Sequence, residues 1–124
     1  MNLKKLLGAF AACSLSLLAA STTAHAAVGY VCEAYFDRDT SYGNFGYVYA
    51  SFYSQPSCAG TWIEGAIFCS SGASASTYCN TSHLYNDLEL QTLMQNLQRA
   101  GAAKQPVTPV FNGAQGYYVI FRSS

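Results

Sequence analysis

Apolar and polar residues alternate along three segments in the first half of the chain. The clearest is 46–54, where positions 48, 50 and 52 are apolar and the odd positions are tyrosine or serine. A period of two puts alternate side chains on opposite faces of a β-strand. Segments 28–37 and 61–70 are rich in β-branched and aromatic residues and predict two more strands.

The third predicted strand has bulky residues at odd and even positions. Strict alternation puts Ile63 and Ile67 on one face and Trp62, Glu64 and Phe68 on the other. We therefore expect Trp62 and Phe68 to share a face.

The apolar spacing changes after the serine-rich segment that follows this strand. Leucine, methionine and alanine recur every three or four residues over 84–100, which predicts one amphipathic helix. Ser82 is a candidate N-cap, and Asn86 with Glu89 has the spacing of a capping box. Gly101 is expected to end the helix in a left-handed conformation.

Two more strands are predicted at 107–111 and 117–122, on either side of a glycine-containing turn. The order β-β-β-α-β-β predicts an α+β domain with a small antiparallel five-stranded barrel or sheet. An OB-fold, a five-stranded Greek-key barrel, has its helix between the third and fourth strands. An open antiparallel sheet with the helix on one face has the same element order.

The first 26 residues have the features of a secretory signal peptide. Lys4 and Lys5 precede an apolar stretch over 6–20, and 24–26 has a small-x-small cleavage pattern. The apolar stretch is too short for a membrane span, so no integral membrane segment is expected. The mature protein is then a single disulfide-stabilised domain over 27–124, secreted or periplasmic.

Cysteine usage agrees with export. Removing the leader takes away Cys13 and leaves an even number, which predicts two disulfides in a small exported domain. Cys58 and Cys69 lie at opposite ends of a predicted strand and are too far apart to pair. Cys32 therefore pairs with Cys58 or with Cys69, and we favour Cys32–Cys58 with Cys69–Cys79. The spacings lack a CxxC pair, so neither a metal site nor a cofactor is predicted.

Charge is sparse and tyrosine is abundant. Without Lys4 and Lys5, four basic residues remain against six acidic ones, a net charge of −2. Four scattered cations cannot form the basic stripe of a nucleic-acid binder, so no nucleic-acid partner is expected. All ten tyrosines lie after residue 26.

Few residues are candidates for catalysis. His83 is the only histidine after the leader, and a solvent-exposed position near the start of the helix explains it without a catalytic role. Asp37 and Asp39 are read as part of a polar turn after the first strand. We therefore predict that the protein is not an enzyme.

Binding is the better-supported function. A tyrosine ring offers a flat apolar surface to the C–H face of a sugar, and its hydroxyl can form hydrogen bonds. Packing between neighbouring strands is the structural alternative for such rings. The candidate ligand-binding residues are on the second strand, the third strand and two loops: Tyr47, Tyr49, Tyr53, Trp62, Tyr42 and Gln115.

The layout resembles that of a known toxin family. An exported five-strand domain with two disulfides has a leucine-rich helix that continues into the sequence Ala-Gly-Ala-Ala-Lys-Gln-Pro-Val at 100–107. This resembles the B subunits of bacterial AB5 toxins, especially the subtilase type. The resemblance implies OB-fold barrels in ring-shaped homo-pentamers that bind host glycans. No sugar-binding residue is carried over from that family.

Three functions are therefore considered. The first is a module that binds a glycan or cell surface, such as a toxin-like subunit. The second is an inhibitor of a hydrolase, in which the connection 70–78 between two cysteines plugs an active site. The third is a structural envelope or coat protein. The expected partner is a glycan or an extracellular protein.

Overall fold

The computed structural model describes residues 25–40, 44–73, 79 and 83–122. Within these residues one helix accompanies one six-stranded mixed sheet, so the prediction of a small sheet-rich α+β fold with a single helix is confirmed. The helix α1, Asp87–Ala102, lies between β4 and β5. The strands are β1 His25–Ala26, β2 Tyr30–Asp39, β3 Phe45–Gln55, β4 Ala59–Cys69, β5 Val107–Asn112 and β6 Gln115–Phe121.

The sheet differs from the predicted one in strand number and direction. Its order is β1-β5-β6-β4-β3-β2. All neighbours are antiparallel except β4 and β6, which pair in parallel at Ile67 and Gln115. The expectation of five antiparallel strands is therefore wrong, because the β5–β6 hairpin that follows the helix places β6 beside β4 in the same direction.

The strands at the two ends of this order, β1 and β2, are consecutive in the chain. Only residues 27–29 separate β1 from β2. Within this segment Gly29 and Val107 exchange two backbone hydrogen bonds of 2.8 Å. One stretch, 25–39, therefore pairs with β5 at its beginning and with β3 further on. His25 and Ala26 are also the last two residues of the predicted leader, so cleavage there would remove β1 but keep the Gly29–Val107 bridge.

The main core lies between the inner face of the sheet and α1. Alternate residues of β3 face it, as predicted, and four residues of α1 face it from the other side. The capping box begins the helix: the Asn86 side chain accepts a hydrogen bond from the backbone of Glu89, and the Glu89 carboxylate accepts one from the backbone of Asn86. The buried residues of this core are Val31, Val48, Ala50, Phe52, Ala66, Phe68, Leu90, Leu93, Leu97, Ala100, Val107 and Phe111.

The helix end differs from the prediction. Gly101 is inside the helix, which continues to Ala102, and the left-handed residue is Lys104 with φ of 54°. A Cβ on Gly101 would lie 3.2 Å from the backbone oxygen of Val31. Glycine therefore allows the helix to pack closely against β2 at this position, and it does not end the helix.

Contrary to our expectation, the side chains of β4 also do not alternate strictly between the two faces of the sheet. Phe68 is fully buried in the core, whereas Trp62 is 52 % exposed. Ile63 packs against the main core, and Ile67 packs against a second cluster on the opposite face. The pairing of β3 with β4 shifts register at Tyr53, and such a bulge exchanges the faces on either side of it.

The structure has the two disulfides that we favoured. Cys32–Cys58 joins β2 to the turn between β3 and β4, and Cys69–Cys79 joins the end of β4 to the connection before α1. Two disulfides are compatible with an oxidising compartment outside the cytoplasm. Among the described residues, the helix is too short and too polar to span a membrane.

Candidate functional site

Aromatic side chains line the outer face of β2, β3 and β4, on the side opposite α1. The residues of this face form rows, each made of residues that pair across neighbouring strands. We call the exposed and half-buried aromatic set the tyrosine face: Tyr30, Tyr35, Tyr47, Tyr49, Tyr53 and Trp62.

The first row is aromatic on all three strands. Tyr30 pairs with Tyr53, and Tyr53 pairs with Trp62. Trp62 is 52 % exposed, and the two tyrosines are half-buried. The Cys32–Cys58 disulfide lies close in sequence to this row and fixes the β3–β4 turn to β2. The row is thus a covalently braced aromatic platform with one largely free indole.

The second aromatic row crosses β3 at Tyr49, four residues before Tyr53 of the first row. Tyr35 pairs with Tyr49, with ring centroids 5.3 Å apart and ring planes tilted by 40°. Such a pair stabilises a fold by about 0.5–1.5 kcal/mol beyond its buried area. Tyr35 is nevertheless 43 % exposed, so much of its ring is open to a ligand. The pair therefore combines cross-strand packing with an accessible aromatic surface.

A polar row separates the two aromatic rows and consists of Glu33, Ser51 and Gly65. Ser51 is buried, and within the described residues its hydroxyl oxygen has no hydrogen-bond partner. An unsatisfied buried hydroxyl costs about 1–3 kcal/mol. Gly65 leaves room for the neighbouring ring: a Cβ there would lie 2.5 Å from the Tyr49 hydroxyl oxygen. The row is therefore recessed, and the Tyr49 hydroxyl lies over its β4 end.

Carboxylates surround the second aromatic row. Glu33 and Asp37 precede and follow Tyr35 by two residues on β2, and all three are exposed. Partial burial raises the pKa of Tyr49, and the negative charges of Glu33 and, more weakly, Glu64 raise it further. Among the carboxylates, Glu33 therefore acts most strongly on the Tyr49 hydroxyl.

Tyr47 has a partly structural role at one end of the face. Its hydroxyl donates to the Asp37 carboxylate at 3.5 Å, and its ring lies 6.1 Å from that of Phe45. Burial, followed by the charge of Asp37, raises the pKa of Tyr47. The ring packs against a second cluster that includes Cys69 and Cys79, so the Cys69–Cys79 disulfide lies at this end of the face.

One predicted binding residue, Gln115, lies elsewhere. Gln115 is buried at the start of β6, beside Ile67, and its amide donates to the backbone oxygen of His83 at 3.4 Å. Tyr42 lies outside the described residues. The structure thus brings together Tyr47, Tyr49, Tyr53 and Trp62 but puts Gln115 beneath the segment that precedes the helix.

His83 is half-buried and not solvent-exposed as expected. Its ring stacks on that of Tyr117, with centroids 3.6 Å apart and planes within 7°. The helix begins only at Asp87, so the residues before it are free to fold over β6. This histidine therefore has a packing role that its position in the sequence did not indicate.

A groove lies on the other side of the sheet, between β2 and the first half of α1. Its volume is about 330 Å³, and its apolar lining includes Phe36, Leu90 and Met94. Arg38 and Asp87 supply opposite charges at its walls. The groove is a second concave feature, separated from the tyrosine face by the sheet.

Sequence reasoning placed Ser51 on this face of β3 but missed the β2 residues Tyr30, Tyr35 and Glu33 as members of it. The pairing of β2 with β3 shifts register around Cys32, which interrupts the alternation that would have identified them. Comparison of the chain with family models, curated proteins and solved structures finds no match. The proposal of a function therefore depends on the geometry of the face.

Proposed function

We propose that this protein is a secreted or periplasmic, non-catalytic module that binds glycans at a cell surface through the tyrosine face. The observation that carries the proposal is the pair of accessible aromatic rows with a recessed polar row between them. Aromatic rings stack on the C–H faces of sugars, while carboxylates and hydroxyls form hydrogen bonds to sugar hydroxyls. The face offers both kinds of group side by side.

The spacing of the rows supports an oligosaccharide ligand. Tyr53 and Tyr49 are four residues apart on β3, which corresponds to about 13 Å along a strand. One sugar ring is too small to contact both rows. A chain of sugars could stack on Trp62 at one end and on Tyr35 at the other, across the polar row.

We also infer that the sheet closes into an OB-type barrel. The stretch 25–39 pairs with both β5 and β3, as the first strand of such a barrel does, and the helix lies between the third and fourth barrel strands. Strands β3 and β4 would then be the second and third barrel strands. The face of those two strands is the usual ligand site in this fold, and here it carries Tyr49, Tyr53 and Trp62.

A more specific form of the proposal is that the protein is a toxin-like B subunit. It is supported by the element order and by the resemblance of the layout to the subtilase-type subunits. It predicts that the protein forms a closed ring of identical copies, since that family assembles in this way. Native mass spectrometry of the oxidised protein should show five copies, and a monomer at micromolar concentration would count against this form while leaving glycan binding open.

The direct test is a glycan-array screen of the oxidised protein with three variants. Trp62→Ala and Tyr49→Ala should each lose selective binding. Tyr118→Ala is the matched control, because Tyr118 is 49 % exposed on β6, which β4 separates from β3. An array without any selective signal from folded protein, or equal losses in all three variants, would refute the proposal.

The other two functions stay predictions. The inhibitor hypothesis depends on residues 74–78, which lie outside the described residues. The neighbouring Ala73 and Cys79 are buried beside Phe45, so both ends of that connection are anchored. A stable complex with a hydrolase would favour the inhibitor, and assembly without any ligand would favour an envelope protein.

A further inference from the structure

We propose that the glycan bound by the tyrosine face carries a free amino group, whose ammonium is held by Glu33, Ser51 and the ring of Tyr35. This inference rests on the proposed function and specifies the chemical class of its ligand. It excludes acidic glycans, such as those with sialic or uronic acid residues, as preferred ligands.

The first observation is that acidic and aromatic side chains alternate on one face of β2. Glu33, Tyr35 and Asp37 lie on one face at intervals of two residues, about 7 Å apart. A cation above a tyrosine ring is attracted by the ring's negative face, and flanking carboxylates add to that attraction. Because all three side chains are exposed, a ligand can approach them from solvent.

The second observation is independent of the carboxylates. Ser51 is 4 % exposed, and within the described part of the chain its hydroxyl oxygen has no hydrogen-bond partner. It occupies the same row as Glu33 and lies between Tyr49 and Tyr53 on the outer face of β3. An ammonium group has three donors, so it can satisfy a carboxylate and a serine oxygen at once. Because the Ser51 oxygen is buried, the side chains beside it must move aside when the ligand binds.

The third observation concerns the basic side chains. By alternation Arg38 points away from the tyrosine face, and it lines the groove beside α1. Arg99 is in the last turn of α1, and Arg122 donates to the hydroxyl of Thr108 on β5. Lys104 follows the helix. Within the described residues, none of the four cations lies on this face, so an acidic sugar would meet only carboxylates there.

The test compares oligosaccharides that differ only at the nitrogen. Short chitosan oligomers carry free amines, and chitin oligomers of the same length carry neutral acetamides on the same backbone. We would measure both dissociation constants by calorimetry with the oxidised protein. The pH would be one at which the carboxylates are ionised and the amines of the oligomer are protonated. The free-amine oligomer is expected to bind at least tenfold more tightly, and the preference should fall at high salt.

Variants assign the preference to this site. Glu33→Gln should remove most of the preference while keeping the fold. Asp87→Asn removes one charge at the start of α1, on the opposite side of the sheet, and should leave the preference unchanged. Equal binding of the two oligomers, a preference for a sialylated oligosaccharide, or equal effects of both variants would overturn the inference, even if Tyr49→Ala abolished binding and thereby upheld the proposed function. If no glycan of any class bound, both would fail.

Discussion

The rings of Tyr35 and Tyr49 meet across β2 and β3 with their centroids 5.3 Å apart. The contact joins the exposed strand β2 to β3 and at the same time forms the centre of the tyrosine face. A single pair thus contributes to the stability of the sheet and to the surface proposed to bind sugar. Because stacking needs only the ring, whereas hydrogen bonding needs the hydroxyl, substitutions can separate the two contributions.

Tyr35→Ala should lower glycan affinity at least tenfold and destabilise the fold by about 1–2 kcal/mol, since it removes both the ligand-stacking surface and the partner of Tyr49. Tyr35→Phe keeps the ring, and its stability should stay within about 0.5 kcal/mol of the parent protein. Urea unfolding and ligand titration of both variants check these values. Unchanged affinity in Tyr35→Ala would show that this ring does not contact the ligand.

Gly116→Ala should destabilise the protein by about 1–3 kcal/mol, because the new methyl group would overlap the ring of Phe68. Phe68 is fully buried and cannot move without disturbing the core. Gly72→Ala is the control, since its nearest contact would be an ordinary 3.8 Å from Ser70. Equal urea midpoints for the two variants would contradict the packing of β6 against this core.

The two disulfides should contribute unequally to stability. Their sequence separations are 26 for Cys32–Cys58 and 10 for Cys69–Cys79. In the loop-entropy model, replacing both cysteines by alanine then costs about 3.5 kcal/mol for the first and about 2.7 kcal/mol for the second. Urea unfolding of the two double variants measures these losses.

The Cys32–Cys58 pair has a second expected effect. Its removal frees the β3–β4 turn beside Trp62, so glycan affinity should fall more in that variant than in the Cys69/Cys79 variant. Dithiothreitol should destabilise the parent protein and leave a variant that lacks all four cysteines unaffected. A parent protein that was insensitive to the reductant would contradict both pairings.

Alkaline pH should reveal the environment of Tyr85. Burial, followed by the charge of Glu89, raises the pKa of Tyr85 to about 12, and its hydroxyl donates to the backbone oxygen of Tyr117. In the unfolded chain the pKa is about 10. The folded state therefore favours the neutral hydroxyl, and this contribution is complete below pH 10 and is lost as the pH rises towards 12.

The free energy of unfolding of the parent protein and of Tyr85→Phe, measured as a function of pH, checks this sign. The stability difference between them should be constant below pH 10 and should shrink above it. A difference that grew above pH 10 would mean that the charged form of Tyr85 is favoured in the fold.

Local patterns were enough to predict the elements whose residues repeat regularly. The alternation in β3 correctly placed Tyr47, Tyr49 and Tyr53 on the outer face, and the leucine spacing with the Asn86–Glu89 capping box identified the helix. In both cases each residue contributes to the same periodic signal. The prediction then depends little on contacts that are distant in sequence.

The features that were missed depend on such distant contacts. The two-residue strand β1 exists only because β5 pairs with it, and the parallel pairing of β4 with β6 depends on how the last hairpin docks after the helix. The bulge at Cys32 hid Tyr35, and the segment around His83 buries Gln115. None of these follows from the residues immediately next to the affected position.

The location of the ligand is the most direct test of the account. We would titrate isotope-labelled oxidised protein with the glycan selected on the array and follow its backbone amide NMR signals. The account predicts that the largest shifts lie on β2, β3 and β4, centred on Tyr35, Ser51 and Trp62. Shifts centred instead on the groove between β2 and α1, around Phe36 and Met94, would contradict it.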